Sequence, residues 1–148
     1  MQVYTYLFAI AILLGLMIDK NIDNATTNAA AAQVSTVNGS MLIYRNYVVT
    51  YATANPGVAG VVPDALLGLP SWFTKPSGIN NYITAGKGYV YYSGTALPEM
   101  AYDLMKATNY SIYAGVNNNG ILYSPNGGNT TIPLPPQIPN GSIVYGNG

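Results

Sequence analysis

The chain has 148 residues, with five basic and five acidic side chains, no histidine and no cysteine. Charged residues make up 7% of it, against about 25% in ordinary soluble domains. These numbers exclude a disulfide framework, a thiolate nucleophile and a metal site built on cysteine or histidine. They also argue against nucleic-acid binding, which needs clustered cations, because Lys20, Arg45, Lys75, Lys87 and Lys106 stand singly.

Residues 1–18, MQVYTYLFAIAILLGLMI, contain no charged side chain. As a helix they would span about 27 Å, close to the roughly 30 Å hydrocarbon core of a bilayer. The expectation is an uncleaved transmembrane signal anchor over residues 1–20, with residues 3–18 in the membrane and Tyr4 and Tyr6 at its interface. A cleaved signal peptide fits less well, since no basic residue precedes the apolar stretch and the small residues Ala29 to Ala32 lie far beyond it. A buried core helix would show a polar stripe, which is missing. Residues 21–33 then read as a connector: Asn24 to Asn28 weaken helix propensity and the alanine run restores it.

From Val34 the apolar positions Val34, Val37, Met41, Tyr44, Val48 and Tyr51 recur at spacings of three and four, which predicts an amphipathic helix. Packing on the protein's own sheet is favoured over a coiled-coil seam, because the stripe is short and lacks charged flanks. Asn55-Pro56-Gly57 ends the helix. Within IYRNYVVTYATANPG, Tyr44 and Tyr51 belong to the stripe, whereas Arg45 and Tyr47 flank it.

GVAGVVPDALLGLPSWF, residues 57–73, reads as a loop with one helical turn at Pro63-Asp64, its Leu66, Leu67, Leu69, Trp72 and Phe73 destined for core or interface. KGYVYYSG, residues 87–94, reads as a strand, and LPEMAYDLMKAT, residues 97–108, as a helix covering a sheet face. Residues 109–116 and 120–124 flank an Asn-Gly pair and predict a β-hairpin. Five prolines between Pro125 and Pro139 make the following stretch an extended loop, with Ser142 to Tyr145 returning as an edge strand. The whole is an α+β fold: an N-terminal transmembrane helix, then an amphipathic helix packed on a small antiparallel β-sheet in a periplasmic domain, residues 34–148.

Asp64, Glu99 and Asp103 are the only carboxylates beyond residue 23. A catalytic pair needs two carboxyls with separated pKa values, but Asp64 and Glu99 stand at helix starts, where capping is the favoured role. Gly86-Lys87-Gly88 lacks the rest of a phosphate-loop pattern and precedes a strand. Tyr91, Tyr92, Tyr110, Tyr113, Tyr123 and Tyr145 could present an aromatic face, with ordinary strand packing the commoner fate for each.

The succession YRNYVVTYATANPGVAGVVPDALLGLPSWF, GKGYVYYSG, YAGVNNNGILYSP and IPLPPQIPNGSIV resembles the PilM proteins of type IVB thin-pilus systems of conjugative plasmids, over nearly the whole chain. The resemblance implies a non-enzymatic, inner-membrane component of pilus biogenesis at the pilus base or pilin transport apparatus, without cofactor or catalytic residues. Its partners would be other assembly proteins or pilin subunits, and a homo-oligomer is compatible with it. Arg45, Tyr47, Trp72 and Asn118 are the candidate contacts. The rival reading is a minor pilin or adhesin displayed on the fibre, which the missing basic, glycine-ended leader disfavours. A periplasmic enzyme has little to work with in the absence of histidine and cysteine.

Overall fold

The computed structural model describes residues 2–96 and 99–147, leaving the side chains of residues 2–22 and of Asn24 outside the description. The chain divides into two units, Met1–Gln33 and Val34–Gly148. One helix, α1 (Gln2–Ala54), contributes to both. The second unit adds a 3-10 turn (Asp64–Leu66), helix α2 (Met100–Ala107) and six strands: β1 (Ile79–Thr84), β2 (Lys87–Tyr92), β3 (Ala114–Asn118), β4 (Ile121–Ser124), β5 (Gly128–Pro133) and β6 (Ile143–Gly146).

The expected fold needs a correction at its N-terminus. Residues 21–33 do not separate two helices; Asp19-Lys20 and the Asn-rich stretch are carried within one 53-residue helix, because the alanine run that follows is the best helix former in the chain. Among the described residues no helix is long and apolar enough to cross a membrane. The side chains assigned to a bilayer, residues 3–18, lie outside the described residues.

In the second unit the stripe on α1 is used as its spacing predicts. Met41, Tyr44 and Val48 have no exposed surface, and Val34, Val37 and Ala52 are buried with them. They join Ile79, Ile83, Val90, Tyr92, Ala114 and Ile143 of the sheet and Met100 and Leu104 of α2 in one core. Tyr51, expected in the seam, is half-buried at its margin. Gly88 lets α1 come this close: a Cβ there would lie 3.1 Å from the Val48 side chain and from the Val49 backbone. The helix ends as expected, with the Asn55 amide and its side chain both donating to the Tyr51 carbonyl at 3.0 and 2.9 Å.

The sheet order is β1-β2-β6-β3-β4-β5, and every pairing is antiparallel. Two hairpins turn on left-handed pairs, Ala85-Gly86 (φ 49° and 76°) and Asn119-Gly120 (φ 52° and 85°), whose backbone twist matches that of the flanking strands. The second is the hairpin expected from Asn-Gly, although β3 begins later than expected. Asn109 and Tyr110 are themselves left-handed (φ 53° and 60°), and the Tyr110 amide closes α2 on the Met105 carbonyl at 2.8 Å.

Three strand assignments differ from expectation. β1, INNYIT, hides its pattern because the residue between its buried isoleucines is the buried, polar Asn81. β5 forms within the Pro-rich tail, since Pro133 occupies its last position, where a missing amide donor matters least. β6 is a central strand, between β2 and β3, where Val144 is fully buried. A second core lies on the opposite sheet face: Tyr89, Tyr91, Leu122 and Val144, roofed by Leu134 and Ile138 of the Pro-rich segment.

Candidate functional site

Between α1 and β1 the chain crosses as a strap, residues 57–76. Gly60 exchanges both main-chain bonds with Ile83, each 2.9 Å, and so closes part of the outer edge of β1. Asn81 grips the next turn of the strap: its Oδ1 accepts from the Val62 amide at 2.8 Å, and its Nδ2 donates to the Val62 carbonyl at 2.8 Å. The same Nδ2 donates to the Tyr44 hydroxyl at 2.6 Å. Tyr44 in turn donates to Asp64, and the Lys75 ammonium pairs with Asp64 at 2.8 Å. Phe73 stacks parallel to Tyr44 with centroids 6.1 Å apart, and Lys75 lies 5.0 Å from the Tyr44 ring centre.

The charges in this clamp are fixed by its surroundings. Burial is the largest influence on the Tyr44 phenol and raises its pKa; the bond to Asp64 and its charge add to the rise, while the bond from Asn81 opposes it. Burial also pushes the Asp64 carboxyl upward, but the bonds from Lys75 and Tyr44 outweigh it and hold the group below its ordinary value. The result is an ionised carboxylate paired with an ammonium beside a phenol that stays protonated. Such an arrangement sets the path of the strap. Asp64 makes no capping bond to the short helix it begins, and neither does Glu99, which stands before α2 in a left-handed conformation. Both capping roles expected from the sequence are therefore corrected.

The strap sorts its apolar residues. Leu67 is buried, and Leu69 and Phe73 pack half-buried against the core. Val58, Val61, Leu66 and Trp72 point outward, Trp72 with 69% of its surface exposed. Trp72 meets Phe73 edge-on at 6.2 Å, which ties the exposed indole to a ring held by the clamp.

The four residues expected to meet partners lie in different places. Arg45 is spent inside the domain: its Nε and Nη2 donate to the Gly146 carbonyl at 3.3 and 3.1 Å, and its guanidinium lies 4.7 Å from the Tyr145 ring centre, fastening β6 to α1. Tyr47 is half-buried against the main core. Trp72 stands exposed on the strap. Asn118 is exposed at the β3–β4 turn, beside a shallow depression of about 340 Å³ lined by Val116, Asn117, Asn118, Tyr123, Asn140 and Gly141. Among the tyrosines, Tyr91 and Tyr92 are buried, Tyr113 and Tyr145 half-buried, and Tyr110 and Tyr123 exposed. Sequence reading missed Asn81, the residue that joins strap, sheet and helix; the one available signal was an amide midway between Ile79 and Ile83.

The architecture is that of a small α+β domain with a long helix packed across an antiparallel sheet and a clamped, apolar strap along one edge. The PilM family profile matches residues 8–146, and the chain belongs to the PilM family, which supports a role in pilus biogenesis. A PilM protein from Escherichia coli B7A, known from its crystal structure, shares the fold at TM-score 0.59 and 22% identity, covering 79% of this chain and 93% of that one. A PilM protein from Pseudomonas aeruginosa 2192 is 37% identical over 78% of this chain and 96% of its own, with a TM-score of 0.49. No curated protein matches the chain.

Proposed function

We propose that the chain is a non-enzymatic structural component of pilus assembly, that its domain of residues 34–148 works in the periplasm, and that the strap is its docking face for other assembly proteins or pilin subunits. The observation that carries this reading is the outward set Val58, Val61, Leu66 and Trp72 on a segment whose charges are already paired. Tryptophan is among the side chains enriched at binding hot spots, and a strap held by Asn81, Asp64 and Phe73 loses little entropy on binding. The link to conjugation rests on the resemblance to type IVB systems. Replacing Trp72 with a photo-crosslinking residue in pilus-producing cells should yield adducts with assembly proteins, and Trp72→Ala should reduce piliation. Full piliation of the alanine variant without adducts would reject the docking face. Because the chain has no cysteine, one introduced at the exposed Asn126 should react with a membrane-impermeant maleimide in cells with a permeabilised outer membrane; protection until lysis would reject the periplasmic placement.

A further inference from the structure

We propose that the depression beside the β3–β4 turn binds a short, neutral saccharide. This site is separate from the strap and does not rest on its reading as a docking face.

No carboxylate, lysine or arginine lines the depression, and no charged side chain follows Lys106 in the sequence. A phosphate or carboxylate ligand would find no cation there, and a metal ion no carboxylate. What the walls do offer is amide groups, the aromatic ring of Tyr123 and the apolar side chain of Val116. Asn117 is committed internally: its Nδ2 donates to the Ile138 and Pro139 carbonyls at 2.7 and 3.2 Å, and its Oδ1 accepts from the Gly120 amide at 2.8 Å, which makes a rigid floor. Asn140 is half committed. Its Oδ1 accepts from the Asn119 amide at 2.7 Å, which fixes the plane of the side chain, while its NH2 group makes no protein bond among the described residues. Asn118 donates to Asn129 at 3.3 Å and accepts from Asn119 at 3.4 Å, two long bonds that a ligand hydroxyl can replace. Tyr123, 40% exposed, supplies the aromatic wall.

Amides held in fixed planes beside a tyrosine ring match a sugar, whose hydroxyl and acetamido groups exchange hydrogen bonds and whose ring C–H face packs on an aromatic surface. A wholly apolar ligand would strip water from the amides without replacing it, which costs free energy. The volume of about 340 Å³ is at the small end for ligand sites and suits a short oligomer reaching out through the open side.

Titration of the isotope-labelled full chain with di- and tri-N-acetylglucosamine, followed by amide NMR, tests the site. Shifts should be confined to residues 116–123 and 140–141. Tyr123→Ala and Asn140→Ala should each weaken binding about fivefold or more, equivalent to about 1 kcal/mol, while Tyr123→Phe keeps most of it. Both alanine variants alter exposed side chains, and their unperturbed spectra elsewhere report that they fold. No shifts at tens of millimolar, shifts scattered over the domain, or unchanged affinity in the alanine variants would overturn the proposal. So would equal shifts from a blocked, uncharged tripeptide.

Discussion

The two faces of the sheet are covered by different means. On one, α1 lays a regular stripe of Val34, Val37, Met41, Tyr44 and Val48 across the sheet, and the polar groups admitted are those of the Tyr44 clamp and Asn38, whose Nδ2 donates to the Met100 carbonyl at 3.1 Å. On the other, an irregular Pro-rich segment drops Leu134 and Ile138 onto Tyr89, Tyr91 and Val144, and its main chain is pinned by Asn117. A helix satisfies its own backbone and needs nothing from the sheet but apolar area. A cover without secondary structure must find partners for its carbonyls, and here one buried amide serves those of Ile138 and Pro139.

That contrast can be broken experimentally. The largest effect is expected from Met41→Ala, which should cost about 2–5 kcal/mol in urea unfolding because the rigid helix cannot close the cavity. Ile138→Ala should fall in the lower part of the same range, since an irregular cover can settle into the space; equal losses would mean that the two covers are equally stiff.

Tyr44→Phe should cost about 1–3 kcal/mol by leaving buried partners of the hydroxyl unsatisfied, and it should change the alkaline limb of stability. The folded-state pKa of Tyr44 lies above the ordinary value of 10.0. Its contribution is therefore fully present below that pH and is lost as pH rises through the higher folded value. Tyr89 and Tyr91 on the other face are raised too, by burial alone. Wild-type stability should decline above about pH 10, with Tyr44→Phe removing part of the decline and a Tyr89→Phe/Tyr91→Phe pair removing another part. Asp64 gives the opposite limb: its lowered pKa makes its contribution present above the ordinary value of 3.8 and lost as pH falls below it. Asp64→Asn should flatten that acid limb, read as the pH dependence of the melting temperature. The smallest effect is expected from Trp72→Ala, within about 0.5 kcal/mol in thermal unfolding; a larger loss would place Trp72 in the fold rather than on the docking face.

The regular cover was legible and the irregular one was not. A spacing of three and four residues names a helix face directly, and Asn119-Gly120 names a hairpin, because both are local rules. The roof of the second core depends on which carbonyl Asn117 reaches, a contact across 21 residues that no local pattern encodes. β1 was hidden for a similar reason: Asn81 is polar in sequence and buried in space, justified only by Val62 and Tyr44. Arg45 looked like a contact for others because its acceptor, the Gly146 carbonyl, lies 101 residues away. The exposure of Trp72 likewise became readable only when Phe73 and Leu67 had taken the inward positions of the strap.

The central place of β6 has a consequence for how the domain comes into being. Among the described residues, the β1–β2 pair and the β3–β4–β5 group are joined in the sheet through Ile143 to Gly146. Neither half can settle against its neighbour until that late stretch has been synthesised and brought back, in β6's pairing with β2, across about 50 residues of intervening chain, an ordering step that slows folding. Until then the edges of β2 and β3 stand open. The sheet should therefore close only once residues 143–146 are available, and a pulse-labelling experiment on ribosome-bound chains of increasing length should find it unprotected until that stretch has left the ribosome.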